Sequence, residues 1–420
     1  MTGTFENPAG LAACLAVCFP AALYFVFLRS VGWRIWGWIV ALIIAFTVVL
    51  SGARTGMIAL GVVAVVCFCR HALAGRKIPG WMKVVGIIVG IGVLAELYFL
   101  KKDSANGRLL VWRCSGEMFC DAPLIGHGPG NFQVKYMDYQ AGWLVRHPDW
   151  QWEWLADNVK HPFNEYLNIG IEYGGLGLLV IVMLVWSLWQ LFRRSNREEH
   201  PLYWSLLALG ICAMFSYPFI GVLLFLLLGL IGKDQQGVLE GGQICKAVVG
   251  VIAMLLLSFT VYWRNAEVKW YRISHLALSG KTKEVIPEYR CLYPFMCKNP
   301  LFLYNYGAEL HEIGCWNKSA EILEECSRGM NDTDVQMLLA DNYFQLEKFD
   351  EVEEHYQRAA SMCPNRFLPL YCLVNLYRRM ERNTEARKLA WQILEKPIKV
   401  DSYVLGKIRK EMQEYVDKNN

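Results

Sequence analysis

The sequence predicts an all-α protein in two parts: a polytopic bundle of transmembrane helices over residues 1–263, then a soluble α-solenoid of helix-turn-helix repeats over residues 264–420. Three observations predict it. Of the 420 residues, 55% are hydrophobic and 19% charged, and mean hydropathy is +0.24, values that exclude an average soluble protein. Charge is unevenly spread, because 46 of the 80 Lys, Arg, Asp and Glu residues fall after position 263, where 23 of each sign cancel. That same tail repeats itself at the length of a two-helix unit. The net charge of +4 is not gathered into one stripe, which argues against nucleic acid as a partner. The 14 cysteines include no CxxC pair and no His/Cys cluster at zinc spacing, so no metal site is supported and no cofactor is expected.

Windows of about 20 apolar residues span a bilayer. Eight can be read in the first part, at 8–28, 32–50, 54–70, 81–100, 167–192, 202–215, 218–232 and 245–263. Short connections carrying Arg29 and Arg34, then Arg70, Arg76 and Lys77, then Arg193, Arg194 and Arg197, then Lys233 all fall on one side, which should be cytoplasmic. The N-terminus, the stretch 101–166 and everything after 264 are then outside.

The stretch 101–166 is too long for a simple connection. Together with the end of span three it holds three notable pieces. The first is Ser51-Gly52-Ala53-Arg54-Thr55-Gly56, where a guanidinium at the water boundary can present a planar fork to phosphate oxygens or serve as a snorkelling anchor. The second is Gly107-Arg108 through Trp112, with Pro123 to Phe132 following. Its glycines at 126, 128 and 130 lack the lysine and Ser/Thr of a P-loop, so they read as a tight irregular turn. The third is His161-Pro162-Phe163-Asn164-Glu165, leading into Glu172-Tyr173-Gly174-Gly175. A histidine there can take a proton from a hydroxyl, or cap the helix it precedes. Aromatics at Tyr136, Tyr139, Trp143, Trp150, Trp152 and Trp154 suit either sugar stacking or an interfacial belt. Cys114 and Cys120 are expected to form a local disulfide in an oxidising compartment.

In the tail, Leu339, Ala340, Tyr343, Tyr356, Ala359 and Pro364 fall at the spacing of a helix pair in which small residues allow close approach and large ones fill the gap. Tyr377 and Val374 repeat Tyr343 and Ala340, and Gly307 and Leu310 precede them. Three units resemble tetratricopeptide repeats, with Leu276 to Pro294 a degenerate leading pair. The resemblance implies a surface for a protein partner.

The three membrane pieces, in this order with a long outside loop, resemble the O-antigen ligase and O-antigen polymerase superfamily over about residues 5–232. The resemblance implies a GT-C-like bundle in the bacterial inner membrane with periplasmic repeats. It also implies that several of the usual N-terminal spans are missing, since the likeness begins at a mid-chain motif. The implied activity is a glycosyltransferase or ligase joining a glycan from a polyprenyl diphosphate carrier to a hydroxyl on a lipid, another glycan or a protein. His161 would be the base, Arg54 and Arg108 the diphosphate-binding groups, and Trp112, His127, Asn164, Glu165, Trp150 and Trp152 the substrate contacts. Alternatives are a protein O-oligosaccharyltransferase and a non-catalytic, membrane-anchored repeat scaffold.

Overall fold

A computed structural model describes residues 8–28, 30–72, 102–194, 201–216 and 243–418, with isolated positions between 86 and 99 and between 223 and 227. The predicted spans 81–100 and 218–232 lie largely outside the described residues, as do residues 3–7. Among the described residues every regular element is helical. In chain order they are α1 (Pro8–Val26), α2 (Val31–Ser51), α3 (Arg54–Ala72), α4 (Lys102–Asp121), α5 (Asn131–Arg146), α6 (Trp150–Leu155), α7 (Glu165–Arg194) and α8 (Pro201–Phe215). Then follow α9 (Gln243–Leu278), α10 (Thr282–Met296), α11 (Pro300–Glu312), α12 (Trp316–Ser327), α13 (Thr333–Gln345), α14 (Phe349–Met362), α15 (Leu368–Arg379), α16 (Asn383–Glu395) and α17 (Tyr403–Lys418). The predicted all-α class holds.

The chain divides into two compact units, one holding residues up to 108 with 122–126 and 161–243, the other holding 109–121, 127–160 and 244–420. In the first unit α1, α2 and α7 are long and apolar enough to cross a membrane, and α3 and α8 are shorter apolar helices. Helix α1 is the hub, touching α2, α3 and α8. Small residues let these backbones approach, as membrane helices require where hydrophobicity alone offers no drive to associate. A Cβ on Gly56 would lie 2.6 Å from that of Ala12, and one on Gly37 would lie 2.6 Å from the backbone nitrogen of Val26. Pro20 removes a donor inside α1, and nearby the Ser205 hydroxyl of α8 donates to the Val17 carbonyl at 2.7 Å. Trp33, Trp36, Leu42 and Phe46 on α2 are exposed, as a lipid-facing side would be.

Helix α7 is broken at Gly174, whose φ of 65° and ψ of −159° suit glycine alone. The break is repaired by the loop after α4. The amide of Gly175 donates to the Pro123 carbonyl at 2.7 Å and that of Leu176 to the Leu124 carbonyl at 3.2 Å. The crossing is backbone on backbone, because a Cβ on Gly174 would lie 2.3 Å from the Leu124 oxygen and one on Gly126 would lie 2.4 Å from the Glu172 carbonyl carbon. The glycine turn expected at 126, 128 and 130 is present, with positive φ at all three.

In the second unit, one continuous core runs from Ile273 to Val416. Helix pairs α11/α12, α13/α14 and α15/α16 are the three expected units, and Leu339, Ala340, Tyr343, Tyr356, Ala359, Val374 and Tyr377 are all buried. Gly307 is where close approach matters, since a Cβ there would meet Leu323 at 2.7 Å. Leu276 to Pro294 fall at the end of α9 and on α10. Helix α9 does not stop at residue 263 but continues to Leu278, placing Trp263, Ala266, Trp270, Ile273 and Ala277 against the repeat core.

Residues 109–121 and 127–160 are largely helical rather than irregular loop, and they pack with the repeats. Asp138 on α5 accepts two hydrogen bonds from Arg358 of α14, at 2.9 and 2.7 Å, and one from Asn331 at 3.1 Å. Gln140, fully buried, donates to the carbonyls of Met362 at 2.8 Å and Asp157 at 3.2 Å and accepts from the Tyr136 hydroxyl at 2.9 Å. Asn365 donates to the carbonyl of Ala156 at 2.6 Å. Gln140→Leu removes this partner from the buried Met362 carbonyl and Tyr136 hydroxyl, and each unsatisfied buried group costs about 1–3 kcal/mol. The expected loss is about 3 kcal/mol, measurable by denaturant unfolding of the purified protein; an unchanged midpoint would show that the seam contributes nothing.

The expected Cys114–Cys120 disulfide is corrected. Both lie on α4, six residues and therefore about 9 Å of rise apart, beyond the reach of a disulfide. Both thiols are free; Cys114 is buried and Cys120 exposed. Burial pushes the Cys114 thiol up to about 12. A maleimide at pH 8 should label Cys120 and leave Cys114 unmodified in the native protein, as read by peptide mass mapping.

Candidate functional site

Arg54 is aimed by a tight turn. Helix α2 ends where Gly52 adopts φ 65° and returns its amide to the Val49 carbonyl, while the Ser51 hydroxyl donates to the Val48 carbonyl at 2.7 Å and accepts from the Ala53 amide at 3.2 Å. Helix α3 then opens on Arg54, at its positive end. The guanidinium donates to the Ser104 hydroxyl at 3.2 Å. Ser104 and Arg108 are one turn apart on one face of α4. Arg108 donates to the Phe215 carbonyl at 2.9 Å and lies over the ring of Phe163, 5.3 Å from its centroid. Phe163 carries a positive φ of 54°, which for a bulky residue is strained. His161, half-buried, is two residues before it. A chain of contacts through Ser104 and Phe163 thus brings Arg54, Arg108 and the His161 segment together.

The remaining expected residues have other placements. Asn164 is a helix cap, its side-chain oxygen accepting from the Leu167 amide at 3.0 Å. Glu165 begins α7 and is half-buried. Trp112, His127, Trp150 and Trp152 belong to the second unit. There the Nε2 of His127 faces the Met118 carbonyl at 2.7 Å and its Nδ1 faces the Lys135 ammonium at 3.2 Å, an arrangement that the neutral Nε2–H tautomer satisfies. Trp152 is covered by Arg113 at 4.4 Å and meets Trp143 edge-on at 5.7 Å. Trp112 is half-buried, and Trp150 is 62% exposed. Tyr136 and Trp143, two of the aromatics suited to either sugar stacking or an interfacial belt, are buried in the helical core and have no face to offer. Sequence reasoning missed Ser104, four residues before Arg108, and the role of Phe163 as the ring beneath it. No group of three or more His, Cys, Asp or Glu side chains that could hold a metal occurs among the described residues.

Fold and site define an all-α, polytopic membrane protein, consistent with the inner membrane, with a helix-repeat region after its apolar helices and an arginine pair beside a histidine-bearing segment. Residues 39–182 match the O-antigen ligase family, so over part of its length the chain carries an O-antigen ligase-like domain, a likeness at the level of the O-antigen ligase/polymerase superfamily, which is linked to polysaccharide biosynthesis. The chain is similar to a candidate polysaccharide ligase of Rickettsia conorii, 26% identical over 130 residues that cover 31% of this chain and 29% of that one. It is also similar to one of Rickettsia typhi, 31% identical over 94 residues and 22% of each chain. The matches therefore span less than a third of the length of these relatives. A solved structure of MamA aligns with 34% of this chain and 88% of that one, at 17% identity and a TM-score of 0.28.

Proposed function

We propose that this protein transfers a glycan from a polyprenyl diphosphate carrier to an acceptor hydroxyl at the outer face of the inner membrane. The observation that carries the reading is the chain of contacts from Arg54 through Ser104 and Arg108 to Phe163, beside His161. Two guanidiniums and the positive end of α3 suit a diphosphate leaving group, since forked donors bind phosphate oxygens bidentately and hold charge without reorganising. The acceptor oxygen bonds to the anomeric carbon, the carbon–oxygen bond to the diphosphate breaks with its electron pair going to the diphosphate, and the hydroxyl proton passes to His161.

The test is a deletion strain whose surface glycans are compared with the parent's by size and linkage. Lost ladders identify a polymerase, chains stranded on the carrier a ligase, and unglycosylated protein a protein transferase. Unchanged glycans of all three kinds would remove the proposal and leave the scaffold reading.

The repeats are proposed to be periplasmic. Supporting this, residues 131–160 bond to residues 331–366, so the two must share one side of the membrane. A phosphatase reporter that is active only outside the cytoplasm should be active when fused after Trp263. Activity from a cytoplasm-dependent reporter alone would overturn the topology.

A further inference from the structure

Between α4 and α5 lies a groove of about 790 Å³, walled by Arg113, Glu117 and Asp121 on one side and by Asp138, Tyr139 and Arg146 on the other. Its floor is Gly116 and Gly142. Both sit inside helices, where glycine is destabilising relative to alanine. Packing does not call for either. A Cβ on Gly116 would meet nothing within 4 Å, and one on Gly142 would touch only the end of the Arg146 side chain at 3.4 Å. Two helix-interior glycines that no protein atom crowds, both facing one groove, suit a ligand that approaches the backbone.

The walls say what kind. The groove's three carboxylates are matched by Arg113, by Arg146 bound to Glu117, and by Arg358 bound to Asp138, so the groove is near neutral and offers nothing to a diphosphate. Apart from Tyr139 and Cys120 its lining has no apolar side chain, so a peptide would find none of the pockets that anchor one. What it presents is a row of carboxylate oxygens and guanidinium donors already held in place, by Arg146 on Glu117 and by the Tyr139 hydroxyl on Asp121 at 2.6 Å. Paired acceptors and donors beside a bare backbone floor fit a chain of neutral, hydroxyl-rich rings. We propose that the groove between α4 and α5 binds the sugar chain of the glycan, away from its diphosphate end. This rests on the transfer reading for the identity of its ligand, but not on His161 or the arginine pair.

Cys120 lies in the groove and is exposed, and so reports occupancy. The probe is the host's own surface polysaccharide, released from lipid by mild acid and added to the full-length protein in detergent. Maleimide labelling of Cys120, read by peptide mass mapping, should slow at least about tenfold with saturating polysaccharide, while labelling of exposed Cys315 stays constant. Gly116→Leu, whose Cβ would meet nothing within 4 Å and whose longer side chain would project into the groove, should abolish protection without lowering the unfolding temperature. Gly116→Ala should raise that temperature, showing that glycine is not kept for folding. Absence of protection in the parent protein, or full protection in Gly116→Leu, overturns the groove. Protection without any transfer keeps the groove as a glycan site and removes only the transfer reading, whereas transfer without protection does the reverse.

Discussion

Replacing His161 with alanine is expected to lower glycan transfer by about 100-fold to 10,000-fold, the usual loss when a positioned base is removed, with membrane insertion and abundance nearly unchanged. The backbone around it supports such a role. Pro162 is buried, Phe163 is held at a positive φ beneath Arg108, and Asn164 caps the next helix. A residue on so constrained a segment has little freedom to drift, which is what a proton acceptor requires. Transfer from a lipid-linked donor by the purified variant measures the effect. Transfer at the parental rate would move the base elsewhere, with Glu165 next. Loss of the protein from the membrane would make the histidine structural, and His161→Gln, which keeps hydrogen bonding but not basicity, would then show parental activity.

The second large effect concerns the arginines. Arg54→Lys and Arg108→Lys keep charge but lose the planar fork, so each should remove most of the activity. Because Arg54 bonds to Ser104, one turn from Arg108 on α4, the two sites are coupled, and the double variant should lose less than the product of the single losses. Interfacial anchors would behave otherwise, since lysine snorkels as well as arginine. Full activity in both lysine variants, assayed at equal donor and equal protein, would leave these charges without a part in binding diphosphate.

Much of the architecture was legible because it is periodic. Five apolar windows agree with α1, α2, α3, α7 and α8 to within two residues, and the repeat positions from Leu339 to Tyr377 are buried as their spacing requires. Helix α9 outran its window because hydropathy reads where a chain leaves lipid, not where a helix ends, and Arg264, Glu267 and Lys269 are good helix formers. The helices of residues 102–155 carried a signal that a search for a connecting loop passes over: Phe132, Tyr136, Trp143 and Leu144 recur at helical spacing. Treating that stretch as loop is also what made a Cys114–Cys120 bridge plausible. At the site, the motif residues could be named, but Ser104 could not, because its pairing with Arg54 spans 50 residues and leaves no local pattern. The break at Gly174 was marked only by two adjacent glycines in an apolar run, and its hydrogen-bond partners 52 residues earlier are visible only in three dimensions.

Helix α9 has a mechanical implication. Trp263, Ala266, Trp270, Ile273 and Ala277 recur every three or four residues along an unbroken rod of 36 residues, about 54 Å long. Within the second unit the rod therefore meets the repeat core in one rotational register, much as a key fits one slot. Along the helix itself, each residue inserted just before Trp263 turns this stripe by about 100° and advances it by about 1.5 Å relative to the first turns of α9, and seven restore the angle to within about 20° while lengthening the rod by about 10 Å.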